Sequence, residues 1–309
     1  MPTGAKITSV FATRALMIAA LAAITFQTAG GQSNDAKATA GTKTPPANAA
    51  KSPDTSDVAK SLKVAAEAVG LARWSGVGGE RLPEVDVIST MEMWGSGTTY
   101  GVGQAYKTEY HAALGYNPPA MRVEITRTPA QGVGAAQHTI QVVREKFAWD
   151  ESVVGAGLIP GKGTATPANA AANNRILQLW ILPYGVIKSA IAAGEKTRIS
   201  TEHGTTVITF PLAGQLAGVM VRATLDSQNE VAKVETRADN PALADMNTET
   251  EYSDYADHGE IATDVKSPGH IVRKQGGHPM LDIQVKMLDA NNPYLVFPVP
   301  ENVKKAAAN

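Results

Sequence analysis

A period of three to four residues at the start of the folded region predicts a short amphipathic helix. Four apolar residues are spaced so that they share one helical stripe, and these are Val58, Leu62, Ala65 and Val69. Residues 54–56 are of the types that cap helix N-termini, and Gly70 is typical of a helix end. The stripe indicates a helix that packs one face against a larger core.

From Val85 onward the period changes to two, which is the pattern of strands with one buried face. Met91 and Met93 alternate with their neighbours, and the same alternation recurs around Met121 and across 140–149. The tract 95–119 is rich in Gly and Tyr and ends in a predicted turn at 117–119, so only a weaker strand at 106–111 is predicted within it. Six further strands are predicted after Gly194, at 205–210, 219–225, 231–237, 248–255, 270–275 and 280–288.

The middle of the chain predicts two helices. A Gly-rich loop at 155–166 precedes predicted helices at 168–182 and 185–193, which Pro183 separates because a proline inside a helix removes a hydrogen bond. Large apolar residues occupy most of this pair. Helices that are apolar over most of their surface must lie against other apolar surface.

The order of elements is helix, strands, helix pair, strands, with roughly ten strands and no alternation of single strands and helices. Short polar turns between successive strands, such as 226–229 and 275–279, predict antiparallel hairpins. The predicted fold class is therefore α+β, with a large curved antiparallel sheet, a half-barrel, and helices covering one face.

The N-terminus predicts export. Lys6 and Arg14 precede an apolar run at 15–26, and small residues at 29–31 offer a cleavage site. The run is shorter than the about 20 apolar residues that span a bilayer, so a cleaved signal peptide at 1–31 is preferred over an uncleaved anchor. The predicted location is periplasmic.

Residues 32–56 contain no large apolar side chain and cannot bury enough surface to offset chain entropy, so a disordered linker is predicted there. The remainder, 57–309, is long enough for one domain with a single core. No transmembrane segment is predicted in the mature form.

Composition excludes several kinds of chemistry. The chain has no cysteine, which removes lipid acylation at a cysteine, disulfides, thiol nucleophiles and zinc–cysteine sites. Its 28 Lys and Arg are scattered among 29 Asp and Glu, without the basic patch of a nucleic-acid-binding protein. We expect no nucleic-acid partner and no cofactor.

Catalytic and metal motifs are also missing from the sequence. The six histidines never form His-x-His or His-x-x-x-His, and no Gly-x-Ser-x-Gly occurs. Lys162 and Thr164 are separated by Gly163, which breaks the phosphate-loop pattern and favours a flexible loop. Asp254, Asp257 and His258 are interpreted first as the polar end of a strand and second as a metal site. No metal and no catalytic residue is predicted.

Apolar and aromatic side chains at unusual density form the candidate site. Met repacks around varied shapes, and small-molecule sites are mostly apolar concavities. Two interpretations remain open, an ordinary packed core and a ligand cavity between the curled sheet and the Trp180 helix pair. The candidate ligand-binding residues are Met91, Met93, Trp94, Met121, Phe147, Trp149, Trp180, Tyr184, Ile187 and Ile191.

Several runs carry a resemblance to a known domain. They are 240–246, 251–259 with its Tyr-Ser-Asp-Tyr, 271–283 with its Gln-Gly-Gly-His-Pro, and 177–185 with its Leu-Gln-Leu-Trp and Pro-Tyr-Gly. Together they resemble the N-terminal domain that precedes a metallo-β-lactamase-fold hydrolase in some exported bacterial proteins. The His-x-His-x-Asp-His zinc motif of such hydrolases does not occur, so the resemblance implies no hydrolase activity.

More remotely, the chain resembles the lipoprotein-localisation carriers, whose curved antiparallel half-barrel is closed by helices over an apolar cavity. That resemblance implies binding of a lipid or an acyl chain. The leading hypothesis is thus a non-enzymatic periplasmic carrier of a hydrophobic ligand. The alternatives are a protein-interaction module that docks on a separate hydrolase or envelope protein, and an enzyme of unrecognised type using Asp254, Asp257 and His258.

Overall fold

The computed structural model describes residues 55–71, 73–74, 81–82, 88–101, 104–131, 134–238, 247–259 and 264–308. The predicted signal peptide lies outside the described residues, as do the linker up to residue 54 and the run 240–246.

The described part of the chain contains four α-helices and fifteen strands, together with three short 3₁₀ helices at Asn169–Ala171, Gly194–Lys196 and Gly214–Leu216. The helices are α1 (Thr55–Ala68), α2 (Ala172–Trp180), α3 (Pro183–Ala193) and α4 (Glu301–Ala306). The strands are β1 (Arg73–Trp74), β2 (Arg81–Leu82), β3 (Thr90–Gly101), β4 (Gln104–Tyr116), β5 (Pro119–Pro129), β6 (Gln137–Arg144), β7 (Phe147–Glu151), β8 (Ala165–Pro167), β9 (Arg198–Glu202), β10 (Thr205–Pro211), β11 (Val219–Leu225), β12 (Val231–Ala238), β13 (Thr248–Ser253), β14 (His270–Gln275) and β15 (His278–Ala290).

Thirteen of the strands form one open antiparallel sheet, in the order β8-β7-β6-β5-β4-β3-β15-β14-β13-β12-β11-β10-β9. All neighbours in this order are consecutive along the chain except β15 and β3, whose pairing joins the two halves. β1 and β2 form a separate two-stranded antiparallel sheet. The predicted α+β class with a large curved antiparallel sheet is confirmed, with thirteen strands in place of about ten.

The tract 95–119 departs most from the sequence prediction. It is mainly the continuous strands β3 and β4, where a single weak strand was expected. Glycine lowers strand propensity, but here it permits close packing of β3 on β15. A Cβ added at Gly95 would lie 2.7 Å from the Gln284 carbonyl oxygen, and one at Gly97 would lie 2.0 Å from that of Asp282. The glycines are therefore part of the sheet.

Three smaller differences have local causes. Residues 140–149, predicted as one strand, belong to β6 and β7, because the backbone turns at Glu145 with a φ of 51°. The short edge strands β8 and β9 were not predicted, and β8 falls at the end of the expected Gly-rich loop. Pro183 starts α3 instead of lying between helices, since the first helical position needs no N–H donor.

Two apolar clusters lie on opposite faces of the sheet. The larger one fills the space between the inner face and the helices α1, α2 and α3. The smaller lies on the outer face of β4–β8, where the C-terminal segment packs through Val303 of α4 and through Phe297, which precedes that helix. The inner face, covered by α2 and α3, is where a ligand site could form.

Candidate ligand-binding site

The helix pair α2–α3 is fixed over the inner face by its local sequence. Leu182 is extended between the helices, Pro183 begins α3, and the axes of the two helical segments are bent by 94°. Gly185 allows the close approach, because an added Cβ there would lie 2.3 Å from the Leu179 carbonyl oxygen. The bend leaves one side of the pair facing the loop that follows β10.

An open groove of about 530 Å³ lies between this bent pair and that loop. Its walls are Trp180 and Ile176 from α2, the end of α3, and the turn 211–216. Tyr116 at the end of β4 forms part of the floor, with its ring 6.0 Å from that of Trp180 and tilted by 53°. The groove is mostly apolar, and it is open to solvent next to the exposed Ala192.

One cation lies in the wall of the groove. Lys188 is 8% exposed, and its Nζ lies 5.0 Å from the centre of the Tyr116 ring. An ammonium over an aromatic face is attracted by the ring quadrupole. Glu145 lines the groove at the β6–β7 turn. The groove can therefore accommodate an apolar chain, and its lining carries one charge of each sign.

Buried tyrosines attach the helices and loops to the sheet. The Tyr252 hydroxyl donates to the Ile181 carbonyl oxygen at 2.7 Å, and the Tyr255 hydroxyl donates to that of Val231 at 2.7 Å. The Tyr184 hydroxyl donates to the carbonyl oxygen of Lys266. Burial raises the pKa of all of these phenols, and also of Tyr116 and Tyr110.

Alkaline unfolding is expected to follow from these raised pKa values. In the unfolded chain the phenols ionise near the ordinary tyrosine pKa of about 10, whereas in the fold they stay neutral above it. Their contribution to stability is thus complete below pH of about 10 and is lost as the pH rises toward the folded pKa values. In a pH titration, the tyrosinate absorbance that reports ionisation of these phenols and the circular dichroism that reports unfolding should change over the same pH range. Ionisation of the buried tyrosines with the fold intact would contradict this.

The structure separates the sequence-predicted candidate residues into two groups. Six of the ten are packed in or against the inner core, and these are Met91, Met93, Met121, Tyr184, Ile187 and Ile191. Trp180 also contacts this core, and it alone of the ten lines the groove. Three lie on the outer face, and these are Trp94, Phe147 and Trp149.

The outer aromatic residues have structural contacts of their own. Trp94 stacks on His111 with ring centres 4.9 Å apart and an interplanar angle of 8°. The Nε1 of Trp149 donates to the Glu151 carboxylate at 2.9 Å within the outer cluster. These residues cannot share a cavity with Trp180, because the sheet lies between them.

Most of the groove residues could not be predicted from the sequence. Lys188 is the one cation in the mostly apolar segment 183–193, and a charged residue in such a segment could have indicated the site. Tyr116 and the turn 211–216 join the site only through tertiary packing. Of the polar candidates, Asp257 accepts backbone N–H groups of Gly259 and Asp264, both at 3.0 Å. Within the described residues, no three His, Asp or Glu side chains gather in a way that could hold a metal.

The loop 152–163, which follows β7 and overlaps the predicted Gly-rich loop, exposes several large apolar side chains. Val153, Val154, Leu158 and Ile159 are between 38% and 58% exposed. The loop starts at the Glu151 end of β7, where the Glu151 carboxylate accepts the Gly155 N–H at 2.8 Å. A cluster of this kind on a surface is typical of a contact region.

No single helix among the described residues has the length and apolar character to cross a membrane. The segments Asn169–Trp180 and Pro183–Lys196 reach that threshold only when taken together across their 94° bend. Most of α3 is buried against the rest of the protein.

No family model and no curated protein matches the sequence. Among solved structures, a DUF1329 family protein from Desulfovibrio piger is similar, with 7% identity, 77% of this chain and 95% of that chain covered, and a TM-score of 0.43.

Proposed function

We propose that this protein is an exported, periplasmic binding or carrier protein for a hydrophobic ligand such as a lipid or an acyl chain, without enzymatic activity. The observation that carries the proposal is the open apolar groove of about 530 Å³ beside the α2–α3 pair. The N-terminal pattern of charge followed by an apolar run supports export.

The size and lining of the groove support this proposal over packed core. Small-molecule sites are typically of roughly 300–1,000 Å³ and are lined by apolar and aromatic groups with few polar ones. The groove has this composition, with Trp180 as its large aromatic wall and Lys188 as a buried cation. An amphiphile could place its chain along Trp180 and an anionic end toward Lys188.

A blocked groove provides the test. Ala192 is exposed and lines the groove, so Ala192→Trp should fill it without disturbing the core. N-phenylnaphthylamine, an uncharged probe that fluoresces in apolar sites, should bind the delipidated protein saturably. We expect Ala192→Trp to weaken that binding at least about tenfold, because the new ring takes the ligand's contacts. Native mass spectrometry of protein prepared from periplasm should show a bound lipid.

The matched control is Ala306→Trp, which adds the same ring to an exposed alanine of α4 on the outer face. This variant should bind the probe as the unmodified protein does. Absence of saturable probe binding, together with absence of co-purified lipid, would rule the proposal out. Equal loss in both tryptophan variants would assign the probe to another site.

A second candidate function, docking on a separate envelope protein, is favoured by the exposed apolar loop 152–163. The native mass spectrum distinguishes the two functions. A stoichiometric protein partner without lipid supports docking, and a lipid adduct supports the carrier.

A further inference from the structure

A second cavity, of about 280 Å³, lies on the inner face between α2 and the sheet. Its lining includes Thr99 near the end of β3, Arg127 near the end of β5 and Gln275 at the end of β14. The groove instead meets the start of β5 and the end of β4. The two spaces therefore lie toward opposite ends of the strands, with α2 between them, and they share no lining residue.

Two arginines enter this second cavity, Arg127 from β5 and Arg273 from β14. Each arginine lies on the inner face of the sheet. Arg127 is two residues after the buried Ile125 in β5, and Arg273 is two residues after the buried Ile271 in β14. Among the residues that line the cavity in the described part of the chain there is no Asp or Glu. The cavity is thus positively charged without an internal counter-ion.

The hydrogen bonding of these arginines is incomplete. The Nη1 of Arg273 donates to the Gln178 side-chain oxygen at 2.9 Å. The Nε atoms of both Arg127 and Arg273 are buried and have no hydrogen-bond acceptor among the residues that the structure describes. A buried charged donor without an acceptor carries a desolvation cost that an anion would offset.

Two other arginines, one in the same sheet and one in α2, have carboxylate partners. Arg222 contacts Glu202 and Glu235, each at 2.6 Å, and Arg175 contacts Asp150 at 2.6 Å. The fold thus supplies carboxylates for these guanidinium groups, whereas Arg127 and Arg273 form no ion pair with any residue of the described segments. A carboxylate or phosphate group of a bound ligand would serve as the missing partner of Arg127 and Arg273, since guanidinium matches both groups geometrically.

The rest of the lining limits the ligand. Neutral polar groups from Tyr110, Asn174 and Thr248 can donate to an oxyanion, while Leu177 and Ile181 give an apolar wall. The volume lies just below the roughly 300–1,000 Å³ of drug-sized sites, so the occupant is a small organic anion or a head group. Met280, 39% exposed, lines the cavity and marks where it meets solvent.

We propose that the cavity lined by Arg127 and Arg273 is a binding site for the carboxylate or phosphate group of a small organic anion or of a lipid. The site does not depend on the groove function proposed above. A bound anion pairs with the guanidinium groups and places its apolar portion against α2.

Calorimetric titration tests the site with three probes, which are hexanoate, inorganic phosphate and vesicles of phosphatidylglycerol. Binding of hexanoate or phosphate identifies a free anion as a sufficient ligand, and binding of vesicles alone identifies a lipid head group. The double variant Arg127→Met/Arg273→Met should lose at least about tenfold in affinity for whichever probe binds. The control Lys286→Gln removes an exposed positive charge from β15 and should bind normally.

Thermal unfolding of the unliganded proteins separates a binding role from a structural one. Since the arginines have no carboxylate partner in the described part of the chain, the double methionine variant should unfold at the same temperature as the unmodified protein or higher. Unfolding at a clearly lower temperature, unchanged affinity in the double variant, or failure of all three probes to bind would each overturn the proposal. N-phenylnaphthylamine should still bind the double variant, so the two proposed sites can fail separately.

Discussion

Gly185→Ala is expected to lower the free energy of unfolding by about 3 kcal/mol, although alanine is the better helix former. The new methyl group would lie 2.3 Å from the Leu179 carbonyl oxygen and 2.9 Å from the Cα of Trp180. Both are backbone atoms of α2, so relief requires the two helices to move apart. Urea unfolding followed by circular dichroism measures the loss.

The groove should be affected along with stability, because Trp180 and Lys188 lie on the two helices that the methyl group pushes apart. We expect N-phenylnaphthylamine to bind Gly185→Ala more weakly than it binds the unmodified protein. The control for the unfolding measurement is Ser189→Ala on the same helix, which also favours helix formation but removes an atom instead of adding one; because Ser189 lines the groove, this variant is not a control for probe binding. If Gly185→Ala raises stability as an ordinary helical Gly→Ala change does, by about 0.5–1 kcal/mol, the close packing of α2 and α3 is wrong.

The face of the sheet on which each strand residue lies could be predicted from the sequence, because the alternation of side chains between the two faces depends only on local backbone geometry. Met91, Met93 and Met121 lie on the inner face as their alternation indicated. The same alternation puts Trp94 on the outer face, so grouping it with Met93 ignored information that the sequence held. The turn at Glu145 reverses the chain, so the pattern alone could not assign Trp149 to a face.

Contacts between segments that are far apart in the sequence could not be predicted from the local pattern of apolar and polar residues. Tyr116 meets Lys188 only when β4 and α3 are packed together, and Arg127 shares a cavity with Arg273 because the sheet curves around α2. The glycines at 95 and 97 suggested a loop, since the strand β15 that requires them is paired from the far end of the chain. Local propensity was overridden by tertiary packing at these positions.

Arg175→Met is expected to lower the free energy of unfolding by about 2–4 kcal/mol, because it removes a buried guanidinium that donates to two backbone carbonyl oxygens and to a carboxylate. The Nη1 of Arg175 donates to the carbonyl oxygens of Val142 at 3.1 Å and Trp149 at 2.7 Å, and its Nη2 contacts Asp150 at 2.6 Å. These bonds connect α2 to β6 and β7, and the Arg175 side chain is only 8% exposed.

The matched variant Asp150→Asn separates the ion pair from the backbone bonds. The Asp150 side chain is 51% exposed, so its charge is screened, and asparagine keeps an acceptor oxygen. We expect it to cost less than about 1 kcal/mol in urea unfolding. If Asp150→Asn instead costs as much as Arg175→Met, the ion pair and not the carbonyl contacts holds α2 on the sheet. With the carbonyl contacts dominant, Arg175 is a structural arginine, in contrast to Arg127 and Arg273, whose replacement should leave the unliganded fold intact.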